Sequence, residues 1–214
     1  MEHTKRIGIF GGAFNPIHCG HLMIAENARD QFNLTKIIFM PSGQSPTENK
    51  AALAPAKQRL EMIRLAIADH PQFELSDYEI KAGGTSYTYR TLEHRRAEHP
   101  DEELYFIIGG DSLAYFSNWR YPERILKAAV VLATGRGDVT DQRSKEEVLR
   151  LQTRYNPQMQ SQTDRIRYFD TPFMEVSSSE IRRRVAAQQS IRYLVPEAVR
   201  AYILENRIYQ EQSQ

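Results

Sequence analysis

Apolar residues occur in short runs along this chain, and the intervals between runs carry apolar positions at helical spacing. The runs at 6–10, 36–40, 73–75, 104–109, 130–134 and 166–168 have the length and the β-branched and aromatic content of buried strands. Between the first two runs, Leu22, Ala25, Ala28, Arg29 and Phe32 lie on one helical stripe, which predicts a crossover helix. A second helix is predicted to open after Ala54, with Pro55 in its first turn and Leu60, Ile63 and Ile67 as its buried side. Residues 88–96 and 144–153 read as further helices. The stretch 196–204 opens on Pro196 and Glu197 and then sets Val199, Ile203 and Leu204 on one side. Strands alternating with helices predict an α/β chain whose parallel sheet is covered by helices on both faces.

A chain of 214 residues suits one such domain, 1–214, around a single core. No repeat with a period of about 20 to 50 residues supports a solenoid or propeller. The sequence holds no uncharged stretch near the ~18 residues of a membrane span. Its amino-terminal residues are polar and run into an apolar segment too short for a secretory signal, so a cytoplasmic protein is expected. Cys19 is the only cysteine, which excludes an intrachain disulfide and a zinc site built from cysteines. The formal charge of +1 argues against a dedicated nucleic-acid binder. An anionic ligand must therefore be held by local groups.

Two segments offer such groups. In the first, GIFGGAFNPIHCGH (8–21), a strand runs into paired glycines and then toward a helix start. Gly11 and Gly12 lack a Cβ, which predicts a sharp turn and close approach of backbone N–H groups to phosphate. The helix start beyond adds partial positive charge and unpaired donors. His18 and His21 are three apart and are expected to face one ligand. Either histidine alone would more often be a capping or surface residue, and two histidines supply only part of a zinc shell, so no metal site is expected. The dinucleotide fingerprint G-x-G-x-x-G is absent. Cys19, inside the same segment, sits where helix-terminal potential favours thiolate, although an inert structural thiol fits equally well.

The second segment is VSSSEIRRR (176–184). Ser178 or Ser179 is expected to cap a helix containing Ile181 and Val185 and to meet phosphate oxygens. Three adjacent arginines cannot share one helical direction. Arg182, placed in the first turn, is the expected anion ligand, with Arg183 and Arg184 structural or exposed.

Together the two segments resemble the nucleotidyltransferases with the H-x-G-H signature, here His18-Cys19-Gly20-His21, and a distal S-S-x-x-I-R element. The stretches GTSYTY (84–89), IIGGDS (107–112) with Trp119 downstream, YLVP (193–196) and NRIY (206–209) narrow the resemblance to the bacterial nicotinate-nucleotide adenylyltransferase family. It covers nearly the whole chain. The resemblance implies a doubly wound, Rossmann-like nucleotidyltransferase fold, with a carboxy-terminal helical part at about 177–209 packed on the sheet.

It also implies transfer of AMP from ATP to nicotinate mononucleotide, giving deamido-NAD and pyrophosphate in NAD biosynthesis. His18, His21 and Arg182 would then be catalytic, and Gly11, Gly12, Ser178 and Ser179 would bind ATP phosphates. By the same resemblance Gly109, Gly110 and Asp111 hold ribose and base. Trp119 stacks on the pyridine ring, while Thr88 and the backbone of Arg120 meet the nicotinate carboxylate. Magnesium would ride mainly on ATP phosphates. A homo-oligomer is compatible with all of this; nucleic-acid and membrane partners are not expected.

Two departures from the family pattern stand out. The loop after the second strand reads SPTENK (45–50) in place of the usual Pro-Pro-His-Lys/Arg, leaving Lys50 as its positive charge, and Asn15 stands where aspartate is frequent. Adenylyl or cytidylyl transfer to nicotinamide mononucleotide or phosphopantetheine remains open, as does a regulator that binds nucleotide without chemistry.

Overall fold

The computed structural model describes residues 4–44, 53–135, 138–158, 164–172 and 174–210. Strands β1 (Lys5–Gly12), β2 (Lys36–Pro41), β3 (Phe73–Leu75), β4 (Glu102–Gly109), β5 (Val130–Thr134) and β6 (Ile166–Tyr168) form one sheet. All neighbours pair in parallel, in the order β3-β2-β1-β4-β5-β6. The helices among the described residues are α1 (Cys19–Gln31), α2 (Ala56–Ala66), α3 (Tyr78–Ala82), α4 (Thr88–Glu98), α5 (Gly110–Ala114), α6 (Pro122–Ala128), α7 (Asp138–Tyr155), α8 (Ser178–Ala186) and α9 (Glu197–Glu205).

The two-residue side-chain period of a strand divides the core between the two faces of the sheet. On one face Phe10, Ile37, Phe39, Tyr105, Ile107 and Leu132 pack with Ala25 and Ala28 of α1, Met62 and Ile63 of α2, Ile181 of α8 and Ile203 of α9. On the other, Ile7, Ile9, Ile38, Phe106 and Val131 pack with Leu92 of α4, Leu113 of α5, Ile125 of α6 and Leu151 of α7. The sheet is thus doubly wound, as expected, and the helices of 177–209 cover the first face. A Cβ at Gly8 would press on the side-chain ends of Ile37 and Leu34, which pack closely over the bare backbone; a one-residue slip would in any case turn every β1 side chain to the opposite face.

The six strands match the predicted runs, with β1 and β4 each extended by a few residues. Three helix details differ. Pro55 caps α2 from outside instead of occupying its first turn. Of the expected buried side of α2, Ile63 and, at the cap, Ile67 are buried, joined by Arg59, Met62 and Ala66, while Leu60 is half-exposed. The cap of α8 is Ser177, whose Oγ accepts from the Glu180 N–H at 3.2 Å, not Ser178 or Ser179. Extended backbone at Ser177 frees its hydroxyl to turn back onto the third helical residue, as a capping residue must.

Candidate active site

In an open parallel sheet the crevice for ligands lies beyond the carboxyl ends of the strands where the winding reverses. Here that point is between β1 and β4, which are neighbours although the chain leaves them toward opposite edges. β1 ends at Gly11 and Gly12 and β4 at Gly109, which leads directly into α5 at Gly110.

Gly11 and Gly12 are still strand residues, paired with Met40 and Pro41, and neither has positive φ. The expected turn at the glycine pair therefore falls farther on, at Phe14 with φ 47 and at the cis Asn15-Pro16 bond. What Gly11 provides is room: a Cβ would come within 3.2 Å of the Phe106 ring, which lies against Trp119.

Beyond this turn the two histidines cap α1 reciprocally. His18 is the cap, in extended backbone, and its Nδ1 accepts from the His21 N–H at 3.3 Å. His21, the third helical residue, accepts from the His18 N–H at 3.2 Å through its own Nδ1. The rings stack 3.6 Å apart, and the edges of Phe10 and Phe14 pack on His21. Because each Nδ1 is an acceptor, a neutral imidazole must carry its proton on Nε2, leaving one N–H donor per ring. Both residues line a cleft with Gly20, Gly135, Thr171 and Val176. Gly20 suits this packing, since a Cβ would press to 3.1 Å from His18 Nδ1. The backbone donors expected at this helix start are largely taken: Cys19 N–H donates to Leu194 O at 2.9 Å, and His21 N–H to His18. An anion here would meet imidazole N–H groups more than helix amides.

The distal element closes on the same turn. Arg182 lies in the second turn of α8, not the first as expected, and its Nη1 donates to Asn15 O at 2.8 Å. Ser178 Oγ donates to Pro16 O at 2.8 Å, which makes it a tie between the segments instead of a phosphate donor in this state. Ser179 Oγ lies 3.0 Å from Ser177 Oγ. Arg183 and Arg184 both pair with Glu180, and their hydrogen bonds hold its carboxyl down to about 2, which leaves Arg182 as the arginine turned to the site.

Asn15 joins a third partner. Its Oδ1 accepts from the Ala54 N–H at 3.0 Å and from the Tyr209 hydroxyl at 2.7 Å. Burial pushes the Tyr209 hydroxyl well above its ordinary pKa, although the positive charges of Arg182 and Arg59 oppose the shift, so it stays a donor.

Across the crevice, Trp119 is half-buried, with ring centroids 5.6 Å from Phe116 and 6.1 Å from Phe106. Thr88 opens α4, following Ser86, whose Oγ accepts from the Gly43 N–H at 3.1 Å and so ties this segment to the end of β2. Arg120 is exposed, its guanidinium 5.1 Å from the Tyr87 ring and 5.4 Å from that of Tyr121. Asp111 is exposed in the first turn of α5. Ser42, at the exit of β2, is buried; Lys50 lies outside the described residues.

Cys19 is half-buried, and desolvation pushes its pKa up, partly opposed by a backbone hydrogen bond. The inert reading of this thiol is the one that fits, because a raised pKa lowers the thiolate fraction at neutral pH. Iodoacetamide at pH 7 should modify Cys19 more slowly than free cysteine, as followed by mass spectrometry. A rate equal to that of free cysteine would show that the thiol is not shielded. Among the described residues no group of three or more His, Cys, Asp or Glu is placed to hold a metal ion, and no helix is long and apolar enough to cross a membrane.

Residues 9–184 match the cytidylyltransferase-like family. The protein named "probable nicotinate-nucleotide adenylyltransferase" of Lachnoclostridium phytofermentans is 42% identical over 96% of this chain and 99% of its own length. One of the same name from Pelobacter propionicus is 44% identical, again over 96% and 99%. The chain belongs to the nicotinate-nucleotide adenylyltransferase family. It is accordingly a nucleotidyltransferase. Its fold is also that of the Plasmodium falciparum nicotinic acid mononucleotide adenylyltransferase solved with NaAD, at a TM-score of 0.76 and 19% identity over 96% of this chain and 97% of that one.

Within this nucleotidyltransferase, two residues carry no clear signal in the sequence. Three serines in a row leave the Ser177 cap undetermined until the helix start is known. A lone arginine on a helix reads as solvent-facing, yet Arg59 is 1% exposed.

Proposed function

We propose that the chain catalyses attack of the nicotinate mononucleotide 5′-phosphate on the α-phosphorus of ATP, with His18, His21 and Arg182 as the donors that stabilise the transferring phosphates. The observation that carries the proposal is the reciprocal histidine cap, which fixes both rings through Nδ1 on residues that line one cleft. A new bond forms from the phosphate oxygen to the α-phosphorus. The bond from that phosphorus to the bridging oxygen breaks, and the electron pair leaves with pyrophosphate. The attacking oxygen is already anionic, so no general base is needed. Charge growing on the bridging oxygen and pyrophosphate is met by pre-placed donors.

Gly11, Gly12 and Ser179 border the phosphate path, and Gly109, Gly110 and Asp111 at the end of β4 take ribose and base. Trp119 offers its ring to the pyridine, with Thr88 and Arg120 toward the carboxylate. Among the described residues no carboxylate cage stands around His18 and His21, so magnesium fits as a passenger on the ATP phosphates, where it would spread their charge. The chain acts as one cytoplasmic nucleotidyltransferase domain, with ATP and nicotinate mononucleotide as its partners and no nucleic acid or membrane.

Pyrophosphate release with ATP and magnesium, compared for nicotinate mononucleotide, nicotinamide mononucleotide and phosphopantetheine at equal concentration, tests the reading. Preference for nicotinate mononucleotide is expected. Preference for another acceptor would overturn the substrate, and release with none would overturn catalysis.

A further inference from the structure

Arg59 is a large charged side chain in an apolar layer, with Met62, Ile63 and Ala66 as its buried companions on α2. Burying a guanidinium is costly unless its donors are engaged. Its planar fork reaches three separate pieces of backbone. Nη1 donates to Ala13 O at 2.8 Å, Nη2 to Ser42 O at 2.8 Å, and Nε to Ala54 O at 3.2 Å. These carbonyls belong to the exit of β1, the exit of β2 and the entry to α2.

Each of the three pieces has a further tie to the site. Ala13 lies two residues before Asn15, whose carbonyl holds Arg182. Ala54 gives its N–H to the Asn15 side chain. Ser42 adjoins Gly43, which donates to Ser86, two residues before Thr88. The histidine and arginine side of the site and the acceptor side are thus connected through one side chain.

We infer that Arg59 is a positioning residue for the transfer reaction, a three-way clamp that sets the loop carrying Asn15 and His18 against the loop leading from β2 toward Ser86 and Thr88. The inference rests on the proposed function, because it assigns ATP to the first loop and the mononucleotide to the second. Lysine cannot replace the clamp: an ammonium at the end of a flexible stem has no rigid fork to span three carbonyls. Misplacing two bound reactants by about 1 Å can lower the rate by about 100-fold with little change in how tightly each is held.

The test measures kcat and both KM values for wild type, Arg59→Lys and Ile63→Val, at a temperature where circular dichroism shows each variant folded. Ile63 is buried on the same helix, and the valine variant weakens packing while leaving the three Arg59 hydrogen bonds their donors and acceptors. The expected result is a fall in kcat of about 100-fold for Arg59→Lys, each KM within about threefold of wild type, and a near-wild-type kcat for Ile63→Val. The inference is overturned if Arg59→Lys keeps its kcat, if Ile63→Val loses as much, or if Arg59→Lys does not fold, since the arginine then serves the fold alone. A wild type inactive with nicotinate mononucleotide would instead overturn the reaction assignment, so the two failures are distinguishable.

Discussion

Replacing His21 with alanine is expected to lower kcat by about 100-fold, the usual loss when one transition-state donor is removed. Nδ1 caps α1 by accepting from the His18 N–H, and in the proposed mechanism Nε2 carries the donor proton. Alanine removes both. The lost cap should lower stability by about 1 kcal/mol, or about 2–4 °C in Tm for a chain of this size. Two further substitutions separate the jobs. In His21→Asn the amide oxygen overlays Nδ1, which should preserve Tm without restoring turnover. In His21→Gln the amide nitrogen overlays Nε2, which should recover part of kcat while Tm stays low. Steady-state turnover and thermal melts on the three variants decide the matter; unchanged turnover in His21→Ala would remove the residue from the mechanism.

The largest loss of stability is expected from Asn15→Leu. That change leaves the Ala54 N–H and the Tyr209 hydroxyl without their acceptor in a buried setting. An unmet buried polar group costs about 1–3 kcal/mol, so a combined loss of about 2–4 kcal/mol, or about 5–15 °C in Tm, is expected. Asn15→Asp retains an oxygen for both donors and should lose less. Removing one donor in Tyr209→Phe before adding Asn15→Leu should make the second change less harmful, as a double-mutant cycle would show. Strict additivity would mean that the two groups do not interact in solution.

All six strands were legible because a sheet covered on both faces needs apolar side chains at consecutive positions, and runs such as Ile37 to Met40 record that demand directly. Short helices left less trace: α3 and α5, at five residues each, are too brief for a helical period to emerge. Pro122 and Glu123 at the start of α6 repeat the signal that revealed α9 and could have been read. The histidines and Arg182 were identifiable from their motifs, but the geometry behind them was not. Nothing in the spacing of His18 and His21 distinguishes two residues facing one ligand from two residues capping one another. Positive φ at Phe14, where glycine would be the natural choice, likewise moved the turn away from Gly11 and Gly12. Arg59 was hidden because its partners are carbonyls, which every residue possesses.

Tyr209 reaches Asn15 across 194 positions of the chain, and β6, the last strand, ends at Tyr168. During synthesis on the ribosome every strand of the sheet is therefore made before the residue that locks the loop after β1. A nascent chain can pair its whole sheet while that loop still lacks its hydrogen bond from Tyr209. The order of translation thus places completion of the loop at the candidate site after that of the sheet.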